Sequence, residues 1–322
     1  MTYDPNRNDR NREKQKNAGK ALRWGLILVS VALIAYGGIR LIGYISELNA
    51  SRQTTEELRA FAAETAAAGE ATVHPEASPA EPTLKAEASP VPTAVPPAEK
   101  AASLSAQLPP VDYPNGFSLV SRIQKLRTKS SYIIGWITMD DLDEPVVFRD
   151  NAFFLNHDAY GRRNSNGALF LDEKSSLLTR PYTLLLYGHN MKSGAMFGNL
   201  RKYEEFAYCY KHRTFQFDTL YEEGQYAIFA VANICLTPGK NHYFSLSGIQ
   251  SLNRDCRRGA LSDLMRISRF DTMLDVNEED PLLLMITCVG ADDERLVVAA
   301  RRLRDNETVT HLTLKESAAG RR

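Results

Sequence analysis

Two short apolar runs in this chain each end on a side chain able to move a proton or form a covalent bond. Leu184-Leu185-Leu186-Tyr187-Gly188-His189 delivers an imidazole, and Leu282-Leu283-Leu284-Met285-Ile286-Thr287-Cys288 delivers a thiol. Arg295, seven residues past the cysteine, opens a third run, Leu296-Val297-Val298-Ala299-Ala300. A thiol attacks as the thiolate, which a nearby imidazole or cation favours. Arginine keeps its proton, so it suits a negative oxygen rather than acid–base work. A cysteine after an apolar strand is ordinarily core, and a histidine in a Gly-His-Asn turn is ordinarily a hydrogen-bonded loop residue. The case for an enzyme rests on the combination: Cys288 as nucleophile, His189 as proton carrier, Arg295 as oxyanion clamp.

Rival uses of these residue types find less support. No Cys-x-x-Cys or His-x-x-x-His pair occurs, although Cys209 and His212 stand three apart, so zinc is not expected. No glycine-rich phosphate loop and no dense acidic cluster is visible, and no cofactor or calcium is expected. His157, in Leu155-Asn156-His157-Asp158, is a candidate lining residue with a competing structural role. Asp292, Asp293 and Glu294 read as a solvated turn. Cys209, Cys235 and Cys256 fall in apolar-periodic segments and read as packed thiols, with one bridge among them left open.

Rigid elements must hold such a site, and the pattern supplies them. Short strands are expected over Ile133–Thr138, Pro145–Arg149, Ala168–Asp172, Tyr182–Tyr187, Tyr226–Cys235, Pro281–Thr287 and Arg295–Leu303, with Gly and Asn or acidic turns between. Seven or eight strands with few helices argue for a β-barrel or sandwich. Phe117, Val120, Ile123 and Leu126 have helical spacing, and a helix through Met196, Leu200, Tyr203 and Phe206 is expected over 194–208. The longest helix should run from Ile249 to Ile267, burying Ile249, Leu252, Cys256, Ala260, Leu264 and Ile267 and exposing Arg254, Arg257, Arg258, Asp263 and Arg266.

The N-terminal third is different. Residues 1–23 form a basic tail, and Trp24–Ile45 supplies roughly the 20 apolar residues that cross a bilayer, with Arg40 near one end. Lys and Arg in front predict a cytoplasmic N-terminus and a single-pass anchor with the rest outside. No small-x-small site follows, which disfavours a cleaved signal peptide. Helix is expected to continue over about Ser51–Phe61. Residues 46–110 read as a spacer, nine of the 15 prolines falling between Pro75 and Pro110, and residues 111–322 as the folded domain. Lys plus Arg and Asp plus Glu are both 39, so net charge favours neither nucleic acid nor an acidic partner.

These residues resemble, in order, the motifs of the sortase family, class B. Gly135-Trp136-Ile137, Pro145-Val146-Val147, Asp150-Asn151-Ala152-Phe153-Phe154-Leu155-Asn156-His157-Asp158 and Gly167-Ala168-Leu169-Phe170-Leu171-Asp172 resemble its early strands. Tyr187-Gly188-His189-Asn190-Met191 with Met196-Phe197-Gly198-Asn199-Leu200 is similar to its histidine motif, and Thr287-Cys288 with Arg295 to its cysteine and arginine motif. The long helix before the cysteine strand points to class B.

The resemblance implies a mainly β, eight-stranded barrel and a monomeric surface transpeptidase of a Gram-positive bacterium. Cys288 would cleave a C-terminal sorting signal of a secreted protein through a thioester, passed to an amine of a peptidoglycan precursor or a pilin. Asn151, His157, Asn190 and Thr287 would be candidate substrate contacts. Ile286 departs from the family, standing where a small hydroxyl residue is common, and the seven-residue Cys-to-Arg gap implies a tight loop. Two other classes remain: a caspase-like cysteine peptidase, with helices alternating with parallel strands, and a non-catalytic surface protein with an inert Cys288.

Overall fold

The computed structural model describes residues 7–67, 120–179, 181–288 and 293–309. Most of the expected spacer, 68–110, therefore lies outside the described residues, as does Asp292. Helix α1 (Arg7–Ala67) is shared between two compact units, the first ending at Ala50 and the second beginning at Ser51. Among the described residues it is the one helix long and apolar enough to cross a membrane, and Leu33, Ile34, Ile39 and Ile42 are exposed on it.

The second unit is a closed barrel of eight strands in the order β1-β2-β3-β4-β7-β8-β6-β5. The strands are β1 (Ile133–Met139), β2 (Leu142–Phe148), β3 (Leu169–Leu171), β4 (Thr183–Tyr187), β5 (Thr214–Thr219), β6 (Gln225–Cys235), β7 (Leu282–Cys288) and β8 (Glu294–Arg302). The helices are α2 (Ser121–Lys129), α3 (Phe206–Lys211), α4 (Leu246–Ile249) and α5 (Arg254–Ile267). Only β2–β3 and β4–β7 pair in parallel, which is not the alternating architecture a caspase-like chain requires.

The unbroken apolar runs of β4 and β7 follow from burial on both faces. Leu184, Leu186, Leu283 and Met285 point into the barrel core. Leu185, Leu282, Leu284 and Ile286 belong to a second cluster outside it, under Ala260, Leu261 and Leu264 of α5. Period-2 alternation thus places an apolar side chain at every position.

Three expectations are corrected. The long helix is two helices, α4 and α5, with Leu252 exposed between them; α5 buries Ala260 and Leu264 as expected, but Cys256 is exposed and Arg257 is buried. Arg257 donates to the carbonyls of Pro181, Tyr182 and Asp280 at 3.0, 3.1 and 2.6 Å, tying the starts of β4 and β7 together. The Tyr182 carbonyl also accepts from the Leu282 amide at 2.9 Å, and a buried guanidinium with fixed donors serves several carbonyls at once. The expected helix over 194–208 is a 3-10 segment over Gly198–Glu204 followed by α3. Strand β5, unforeseen, buries Phe215 and Phe217 behind a polar alternation. Cys209 and Cys235 are buried free thiols, as their segments suggest, and Cys256 is free as well.

Helix α1 also reaches beyond what its sequence suggests. In the second unit, its residues Ser51, Thr54, Thr55, Leu58 and Ala62 are buried. That is one helical stripe at steps of three and four, made of small, hydroxyl and apolar side chains.

Candidate active site

Parallel pairing of β4 with β7 sets the register of the site. Tyr187 lies opposite Ile286, and the Gly188 amide donates to the Ile286 carbonyl at 3.3 Å. His189 and Cys288 are each the second residue beyond that pair, so they emerge at the same end of adjacent strands, which run about 4.8 Å apart. β7 then pairs antiparallel with β8, with Cys288 directly opposite Arg295. The three residues singled out in the sequence occupy the same end of three consecutive strands.

A cleft of about 290 Å³ opens at this end. It is lined by Asn151, Leu155, Phe170, Tyr187, Gly188, His189, Leu236, Ile286, Thr287 and Arg295. Its walls are largely apolar and its polar groups few, the usual composition of a site that orients a peptide or small ligand.

Local packing fixes the histidine. A Cβ on Gly188 would lie 2.4 Å from Leu169 and 2.8 Å from Phe197, so only glycine lets the chain leave β4 here. Gly167 has φ of +64°, and its Cα faces the His189 ring, a Cβ there falling 3.2 Å from Cδ2. His189 Nε2 lies 2.6 Å from the Leu155 carbonyl. A carbonyl only accepts, so Nε2 carries the proton and Nδ1 is the nitrogen left to exchange one in the neutral ring. No side-chain pattern announces this contact, because any residue at 155 would provide the same carbonyl.

The expected substrate contacts separate. Thr287 lines the cleft and is 2% exposed, and its hydroxyl has no hydrogen-bond partner among the described residues. Asn151 also lines the cleft, but its amide is engaged: Nδ2 donates to Asp172 at 2.8 Å and Oδ1 accepts from the Glu173 amide at 2.9 Å. His157 is not among the lining residues. Its ring stacks on Phe153 at 3.9 Å, which also carries the Arg149 guanidinium, and Nδ1 donates to the Phe153 carbonyl at 2.7 Å. Asn190 forms an isolated bridge with Met196, closing the loop beyond His189.

Residues that sequence reasoning did not single out complete the walls. Phe170 and Tyr187 are cross-strand partners with ring centroids 5.5 Å apart, and Leu236 follows β6. Burial, and then the buried Asp172 carboxylate, push the Tyr187 phenol well above its ordinary range. It stays a neutral hydroxyl. Arg295 is half-buried and donates to the Glu294 carbonyl at 2.9 Å.

A family model for the sortase domain matches residues 141–303, half of the chain. The chain belongs to the sortase family. Its relatives include Sortase B of Listeria monocytogenes, 30% identical over 112 residues, which is 34% of this chain and 46% of that protein. Sortase B of Staphylococcus aureus is 25% identical over 189 residues, 57% of this chain and 75% of that protein. The chain thus spans about half the length of the first relative and three quarters of the second. A Bacillus anthracis crystal structure described as similar to sortase B superposes with a TM-score of 0.52 at 25% identity, covering 64% of this chain and 93% of that one. A Staphylococcus aureus sortase B–substrate complex shares the fold, with a TM-score of 0.51 at 22% identity over 65% of this chain and 93% of that one.

Proposed function

We propose that this sortase is a membrane-anchored cysteine transpeptidase of the class B type, acting on a C-terminal sorting signal of secreted proteins. The observation that carries the reading is the strand register, which brings His189, Cys288 and Arg295 to one end of β4, β7 and β8 beside a peptide-sized cleft. In this reading the Cys288 thiolate adds to the scissile carbonyl, and Arg295 stabilises the tetrahedral oxyanion. Collapse breaks the C–N bond, and the imidazolium of His189 protonates the departing amine. An acceptor amine, from a peptidoglycan precursor or a pilin, then attacks the thioester, giving its proton to His189 as the thiolate leaves. The thioester stores the acyl group, so no nucleotide is required.

The buried, unpartnered Thr287 hydroxyl is a donor for a peptide carbonyl, which supports its reading as a substrate contact.

The apolar α1 segment serves as a single-pass anchor, with the N-terminus cytoplasmic and the barrel outside a Gram-positive cell. Residues 1–23, 24–45, 46–110 and 111–322 remain the proposed tail, anchor, spacer and catalytic domain, with the α1 residues of the second unit packed on the barrel. The test is product partitioning on a panel of sorting-signal peptides. Added amine should divert product from the free acid to the ligated peptide in a saturable way; hydrolysis unaffected by any amine would identify a peptidase.

A further inference from the structure

His189 donates to a loop carbonyl, that of Leu155, so whatever holds the loop between β2 and β3 also holds the histidine. Asp158 organises that loop. It is 4% exposed, and its carboxylate accepts from the amides of Tyr160 and Arg162 at 3.0 Å and from Arg162 Nε at 2.9 Å. Backbone bonds from Asn164 to Asn156 and from Ala168 to Phe154, at 2.9 and 3.0 Å, tie the returning limb to the residues on either side of Leu155.

Asp158 also receives a contact from far away in sequence. Thr54 of α1, itself buried, donates its hydroxyl to Asp158 Oδ2 at 3.4 Å and accepts from Arg162 Nη2 at 2.5 Å. Neighbouring contacts fix the helix there. Thr55 donates to Glu144 at 2.6 Å, and Arg59 donates to the Asp143 carbonyl at 2.8 Å. Leu58 and Ala62 enter the same core cluster as Phe154 and Ala159.

We propose that Thr54 and Asp158 are positioning residues for His189, the Ser51–Ala62 stretch of α1 clamping the loop whose Leu155 carbonyl holds the proton on Nε2. This rests on the reading of His189 as the proton carrier. The segment that leads out of the apolar run is then part of the catalytic apparatus, and a fragment beginning near residue 110 lacks it.

The experiment uses the full chain in detergent micelles, with Thr54→Val, Thr54→Ser, Asp158→Asn and His189→Ala. Thr54→Val should speed amide exchange over 153–168 and lower kcat about tenfold, the worth of one buried charge-assisted hydrogen bond, with KM within about twofold. Its pH–rate profile should move, whereas a smaller folded fraction would only scale it. Thr54→Ser should restore both readouts, and Asp158→Asn should exceed Thr54→Val. Unchanged exchange and kcat in Thr54→Val and Asp158→Asn, with His189→Ala inactive, would overturn the coupling alone. A fully active His189→Ala would instead remove the catalytic reading on which the proposal stands.

Discussion

The strand ends that carry His189, Cys288 and Arg295 and the loop that braces His189 are built by opposite means. β4, β7 and β8 hold their residues through ladder register and two apolar faces, a geometry specified by many equivalent contacts. The β2–β3 loop holds Leu155 through a few polar contacts centred on Asp150, Asn151 and Asp158. Redundant apolar contacts make a platform that tolerates single changes. A sparse polar scaffold concentrates the same task in individual atoms, and losing one of them is felt at the histidine.

Substitutions separate the two regions, from the largest effect downward. Cys288→Ala should abolish acyl transfer, and His189→Ala should lower kcat/KM about 10³-fold or more in the peptide-plus-amine assay. Arg295→Lys should lose about 10²-fold, since an ammonium lacks the planar fork and a missing oxyanion donor costs about that much. Near-normal rates in Arg295→Lys would remove Arg295 from the oxyanion role.

Arg257→Met acts at the far end of β4 and β7. It removes the guanidinium from three carbonyls, of which that of Tyr182 keeps the Leu282 amide, so denaturant unfolding should show a loss of about 2 kcal/mol, with kcat of the folded enzyme little altered. Thr287→Val should reverse that pattern. It removes an unpartnered buried hydroxyl, so stability should hold or rise, while kcat/KM falls about tenfold if the hydroxyl meets the peptide.

The smallest effect tests the helix contact. Burial pushes the Glu144 carboxyl up to about 7, against the hydroxyl of Thr55 and the charge of Arg59, with Asp143 reinforcing the rise. A carboxyl whose folded value is raised binds its proton more tightly in the folded state. Its stabilisation is therefore present at low pH and lost as pH climbs from about 4.5 to 7. Thermal unfolding between pH 5 and 8 should show a fall of roughly 2 kcal/mol, allowing for partial exposure, that Glu144→Gln flattens.

The parts of the molecule legible in sequence are those where every residue obeys one period. β4 and β7 read as buried strands because residues 184–186 and 282–286 are unbroken apolar runs, and the ends of those runs mark His189 and Cys288. Strand β5 is hidden because its alternation is only Phe215 and Phe217 long and gives way to the buried polar pair Asp218 and Thr219. Helix α5 is legible in its buried Ala260 and Leu264 but not in its first turns, since a buried Arg257 imitates a solvent-facing one until its three carbonyl partners are known. The bracing of His189 was invisible for a deeper reason. Leu155 contributes only a backbone carbonyl, and the residues that aim it, Thr54 and Asp158, are 104 positions apart and look like surface polar residues.

The most direct test is intact-mass spectrometry of the full chain incubated with sorting-signal peptides, with and without a short amine. The account predicts a covalent acyl adduct that disappears in Cys288→Ala and is discharged by the amine into a ligated product. No adduct with any peptide, together with a Cys288 that resists alkylation in the folded protein, would contradict it and leave a non-catalytic surface protein on a sortase barrel.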